Sequence, residues 1–241
     1  MTATIQTLEL ADRSTADDLR NFLGRLARFG EPEARMQSRG TALAVYGCTQ
    51  APVSIVDDAP VVLVMRAFAL AAEPVSISAA GGSTNGIDEV VPVRALTDRL
   101  ARMDDGGLLL PVPDSTTSAA WAGVLPPHSG WEPRGSIDAA SLAAVAAEGM
   151  ERVAAAVPTD AGDPVVQRVR RAVWGSEIAP GVPAAVAFAA EGLGFLVGVD
   201  RLAISETRTW TRFSGRNGHV LVRRGLAGVI GTNRNGGAHD D

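Results

Sequence analysis

Between Pro111 and Gly135 the chain carries five prolines, three glycines and two tryptophans in 25 residues. A stretch of that kind supports neither a continuous helix nor a central strand, because proline lacks a backbone donor and glycine weakens both elements. It therefore divides the 241 residues into two parts. The charge divides with it. Residues 1–120 hold 10 Arg against 15 Asp and Glu, and residues 121–241 hold 12 against 12. The expected organisation is an acidic lobe over 1–112, a connector over 113–135, a helical segment with a basic hairpin over 136–224, and a flexible tail over 225–241.

Within the front part, Leu19, Phe22, Leu23, Leu26 and Phe29 recur at helical spacing until Gly30, with Ser14 placed to cap. Strands are expected at 42–48 and 61–70, where apolar and β-branched residues cluster, and at 75–78, which alternates. A glycine loop over 81–86, a short strand at Val90-Val91 and a helix from Pro92 or Arg94 to Met103 follow. In the back part an alanine-rich helix starts at Ser136 or Asp138 and runs through Val157. Asp163 caps a second helix with Pro164 at its first position, ending at Trp174-Gly175. A third helix spans Pro183 to about Leu196. Strands at 197–205, 208–213 and 219–224 complete the chain, the last two joined by Gly215-Arg216-Asn217-Gly218. The fold class is α+β: a helix with a short sheet in front, then three helices and a β-hairpin, winged-helix-like by architectural analogy only.

With 46% hydrophobic residues the chain can bury a full core. All 22 basic residues are Arg, and there is no Lys. Schiff-base chemistry, pyridoxal phosphate attachment and the phosphate-binding lysines of P-loop and kinase motifs are thereby excluded. The single cysteine, Cys48, permits no internal disulfide and is expected to be a buried, slow-reacting thiol in a cytoplasmic protein. Three histidines and one cysteine show no metal-ligand spacing, so neither metal nor cofactor is expected. Gly81-Gly82-Ser83-Thr84-Asn85 lacks the second glycine of a nucleophile elbow, and Asp88-Glu89 would repel a phosphate at that loop. No catalytic residue is assigned.

The binding candidates are Arg208, Trp210, Arg212, Arg216 and Arg224. Residues 197–224 hold six Arg against Asp200 and Glu206 on an otherwise acidic protein. Strand alternation would set Arg208, Trp210 and Arg212 in one row, suited to phosphates and stacked bases. The third helix has no Arg, Asn, Gln, Ser or Thr with which to read base edges, so sequence-specific DNA recognition is not expected. The first functional reading is a non-catalytic binding or regulatory protein contacting an anionic macromolecule, single-stranded nucleic acid in particular. A competing account of the same hairpin makes Trp210, Val220 and Val222 core, with arginines snorkelling around them. A second function class is an enzyme or binder of a small anionic ligand held by Arg near the 81–86 loop, with His128, Trp131 and Ser83 as its residues. A third is a structural oligomer that self-associates through the apolar 182–199 segment. That segment is not a membrane span, since Glu191 inside it costs about 2.5–3.5 kcal/mol on insertion scales.

Overall fold

The computed structural model describes residues 6–30, 32–52, 57, 59–77, 83–104, 106–114, 116–158 and 162–223. It has the α+β architecture and divides into two compact units, 1–48 with 65–125 and 49–64 with 126–241.

In the first unit β1 (Thr7–Glu9) leads into α1 (Arg13–Leu26), followed by β2 (Glu33–Arg39), β3 (Ala42–Gln50) up to residue 48, and β4 (Val61–Ala69) from residue 65 on. Then come β5 (Val75–Ile77), β6 (Ser83–Asn85), β7 (Asp88–Pro92), α2 (Val93–Ala101) and β8 (Leu109–Pro111). β7, β2, β3 and β4 are neighbours in that order, and β1 pairs with β8. The sheet and α1 meet because Leu26 packs straight onto the backbone of Gly47, where a Cβ would lie 2.6 Å from Leu26 Cδ1. Leu19, Phe22, Leu23 and Leu26 of α1 and Leu96 and Leu100 of α2 are buried, as are Met36, Leu43 and Val45 of the strands. The helix cap is Asp12, not Ser14. Asp12 Oδ1 accepts from Thr15 N at 2.7 Å and from the Ser14 hydroxyl at 2.8 Å, a carboxylate making the better acceptor for an N-terminal amide.

The strand β2 carries no run of apolar residues. Only Ala34 and Met36 point inward, paired with Gly47 and Val45, while Arg35 and Gln37 on the other face both bond Asp88. The expected strand at 75–78 is β5, which pairs with β6 as a hairpin, so residues 83–85 of the glycine loop are themselves strand. Gly81, Gly82 and Ser78 lie outside the described residues. Cys48 is half-buried rather than buried, and it is not without a partner.

The second unit opens with β9 (Glu132–Asp138), then α3 (Ala139–Ala156), α4 (Asp163–Gly175), β10 (Glu177–Ala179), β11 (Val182–Pro183) and α5 (Ala185–Gly192). It closes with β12 (Arg201–Glu206), β13 (Trp210–Gly215) and β14 (Gly218–Arg223), in sheet order β14-β13-β12-β9. The end of the expected connector, 132–135, and the expected helix start at 136–138 are thus strand: β9 pairs along β12 from Arg201↔Asp138 to Glu206↔Glu132. The winged-helix analogy stops here, because the hairpin is part of a sheet whose outer strand precedes the three helices. Leu142 and Ala146 of α3, Val186, Ala187 and Ala190 of α5, and Leu202, Phe213, Val220 and Val222 of the sheet form the core. Trp174 stacks on Phe188 with ring centroids 4.3 Å apart, and its indole lies against Gly149, where any side chain would collide.

Several boundaries differ from the sequence expectation: α3 starts at Ala139 rather than Ser136 or Asp138, and α2 ends at Ala101 rather than Met103. Gly162, not Asp163, caps α4, although Pro164 does sit in its first turn. The third helix is shorter than 183–196, since Pro183 belongs to β11 and the chain leaves the helix at Gly192. Gly194 and Gly198, at φ +71° and +63°, turn the chain in left-handed conformations, so β12 starts at Arg201 rather than 197. The apolar 182–199 run is interior: nearly all its large side chains are buried within this unit, and Val197 alone among them is exposed. It therefore presents no apolar face for self-association. No helix among the described residues is long and apolar enough to cross a membrane.

Candidate functional site

The hairpin forms as its turn chemistry requires, with Gly215 paired to Gly218 around Arg216 and Asn217. Gly218, at φ +152°, also lets the Phe195 ring lie directly on the backbone. Asn217 Nδ2 then donates to Val197 O at 2.8 Å, fixing the turn to the end of the helical segment.

The expected row Arg208–Trp210–Arg212 does not form. Arg208 sits in the bend before β13, and Trp210 is 2% exposed, so it offers no ring face to a stacked base. Trp210, Val220 and Val222 are core, as the competing account of the hairpin had it. Arg216 is exposed at the turn, Arg223 is half-buried, and Arg224 lies outside the described residues.

Arg212 has instead met Trp131, a residue from the other candidate site. Its Cζ lies 4.3 Å from the Trp131 ring, within cation–π range. The indole is held in turn by Nε1 donating to Pro127 O at 2.9 Å. From the neighbouring strand the Ser205 hydroxyl accepts from Arg212 Nε at 3.2 Å, and Ser205 and Arg212 are cross-strand partners. On the next strand Ser214 and His219 are partners too, with Oγ and Nδ1 2.9 Å apart. Period-two alternation places Ser205, Arg212, Ser214 and His219 on one sheet face, opposite the helix-facing Leu202, Phe213 and Val220. Burial holds the Arg212 guanidinium below its ordinary pKa. Burial first, and the Arg212 charge second, push the His219 imidazole below its ordinary 6.5, so the ring is neutral at pH 7.

Neither Ser205, Ser214 nor His219 was a sequence candidate. The signal available was their even spacing with Arg212 across a turn whose register Gly215 and Gly218 fix. His128 is exposed and, among the described residues, makes no hydrogen bond or ion pair; Ser83 lies in β6 of the first unit.

A concavity of about 240 Å³ lies between α1 and the end of α2, lined by Arg13, Arg20, Leu100, Met103 and Asp104 among others. Its cations are engaged: Arg20 bonds Asp17 at 2.7 Å and the Leu100 carbonyl at 3.3 Å, and Arg13 is not without a partner. Among the described residues no group of three or more His, Cys, Asp or Glu side chains gathers as a metal site would need.

Residues 3–123 match the family described as Domain of unknown function (DUF8010). The chain belongs to that family. Residues 126–227 match a further one, Domain of unknown function (DUF8185), so the two matches meet where the polypeptide passes from one unit to the other. No curated protein matches the sequence. Among solved structures the chain is similar to Caulobacter crescentus pol III beta at 11% identity and TM-score 0.47, covering 99% of this chain and 67% of that one. It is also similar to the DNA polymerase III subunit beta of Pseudomonas aeruginosa, at 14% identity and TM-score 0.43, covering 98% and 66%. The H. pylori beta clamp is a third, at 10% identity and TM-score 0.41, covering 94% and 67%.

Proposed function

We propose that the protein is a non-catalytic binding or regulatory protein that docks single-stranded nucleic acid on its C-terminal hairpin. The observation that carries this reading is a run of unneutralised cations. Residues 207–223 contain Arg208, Arg212, Arg216 and Arg223 and no carboxylate. None of the four makes an ion pair among the described residues, whereas Arg134 and Arg201 on the adjoining strands are both paired. A local positive field on a chain of net charge -5 favours an anionic partner at that place. With Trp210 buried, the contacts are to phosphates rather than bases, which goes with sequence-independent binding. A cytoplasmic, reducing setting goes with the single cysteine. The small-ligand alternative at His128 and the 81–86 loop has no comparable support.

Fluorescence anisotropy of a labelled single-stranded oligothymidylate tests the reading. Binding at low salt should weaken as salt rises, with a log–log slope of about -0.7 per phosphate contacted. The Arg208→Ala/Arg216→Ala double variant should flatten that slope while leaving the melting temperature nearly unchanged. Absence of binding at low salt overturns the proposal.

A further inference from the structure

Within the hairpin face proposed above as the docking surface, two side chains are held with their working atoms open. Arg212 has one face stacked on Trp131 and its Nε bonded to Ser205, while neither Nη has a partner among the described residues. His219 has Nδ1 engaged by Ser214, and its Nε2 has no partner among the described residues. Among the described residues no buried side-chain nitrogen or oxygen lacks a hydrogen bond, so these three nitrogens reach solvent. Arg212 pairs with Leu221 and Ser214 with His219, which makes Arg212 and His219 diagonal neighbours on one face. Diagonal neighbours stand roughly 7–8 Å apart, within reach of long side chains.

We infer that Arg212 and His219 form a clamp for a tetrahedral phosphate group, with the Arg212 fork taking two oxygens and His219 Nε2–H a third. This deepens the hairpin reading and rests on it. The spread of the donors favours the ligand: a carboxylate has two oxygens in one plane, a bidentate guanidinium engages both, and the imidazole would have to share one of them. A phosphate or phosphate ester has oxygens to spare. The supporting contacts orient the donors beforehand: Trp131 sets the plane of the fork, Ser205 sets its direction, and Ser214 Oγ engages Nδ1, so that a hydroxyl donating there would leave the ring proton on Nε2. An arginine is also the fitting cation, since a lysine at 212 would keep the charge and lose the fork.

Long-range 1H–15N NMR of the histidine rings, with inorganic phosphate titrated against chloride at constant ionic strength, reads the clamp in the wild-type protein. The expected result is a saturable shift of His219 Nε2 with none at His128, starting from the Nε2–H tautomer. Arg212→Lys should weaken phosphate binding about tenfold or more. A His219 ring that stays silent, begins in the Nδ1–H tautomer, or shifts linearly together with His128 overturns the inference. Competition with labelled oligothymidylate separates the two sources of phosphate. If the strand binds but neither Arg212→Lys nor phosphate affects it, the clamp falls and the wider docking reading stands. If phosphate saturates His219 but no strand binds, the clamp stands for small phosphate esters and nucleic-acid docking falls.

Discussion

The guanidinium of Arg212 rests 4.3 Å above the indole of Trp131, joining the hairpin to the stretch just before β9, some 80 residues away in sequence. Stacking satisfies the cation without neutralising it. The side chain is ordered yet keeps its charge, which a carboxylate partner would have removed.

That contact can be measured by itself. Trp131→Ala and Arg212→Ala should each lower stability, and the double variant should lose less than their sum. The coupling expected for a half-buried cation–π pair is about 0.5–2 kcal/mol. Urea denaturation of the four proteins in the cycle gives the value directly, and additive losses would show that the stacked geometry is not populated.

Trp210 should behave as core. At 2% exposure, truncation to Ala is expected to cost about 3–5 kcal/mol and to lower the urea midpoint sharply. A surface tryptophan would instead change stability by within about 0.5 kcal/mol. The same denaturation assay tells the two apart.

Gly149→Ala reverses the usual expectation for a helix. In an open position the change would gain up to about 1 kcal/mol of helix propensity. Here the new methyl would stand 2.5 Å from Trp174 Cη2, and the indole is fixed by its stack on Phe188. Overpacking of about 1–3 kcal/mol should win, seen as a lower melting temperature.

Stability should fall as pH drops through 6.5. His219 has a folded pKa below its unfolded value, so above about pH 6.5 the ring is neutral in both states and adds no pH dependence. Below that, the unfolded chain takes a proton that the native state refuses. Stability declines until the lower folded pKa is passed. Asp12 and Asp88 have folded pKa values lowered by Thr15 and Arg35 respectively, and their contributions are lost only below about pH 4. A smaller urea-midpoint difference between pH 7.5 and 5.5 in His219→Gln than in wild type checks the assignment, with both pH values taken as about one unit either side of the ordinary histidine pKa.

Local chemistry was legible in the sequence wherever it acts between neighbours. The periodicity of Leu19, Phe22, Leu23 and Leu26 places α1, Pro164 places the start of α4, and the Gly215–Gly218 turn fixes the register of the hairpin, because each signal acts within a few residues. The lysine-free composition restricts the chemistry to guanidinium without reference to any fold. What the residues alone left open was partnership at a distance. The strand β2 has only Ala34 and Met36 as apolar residues and is a strand because β3 and β7 supply its hydrogen bonds. Residues 132–135 look like connector because Pro133 and Gly135 suit a turn, and Ser136 or Asp138 like a helix start, yet β12 pairs with 132–138 as an edge strand, where a proline is tolerated. Likewise, periodicity states that Trp210 and Arg212 share a face but not that the face is covered at one position and open at the next. Only the tertiary structure decides that, since burial depends on which remote segment arrives, and here the arrival of Trp131 beside Arg212 makes an ordered cation out of a surface arginine.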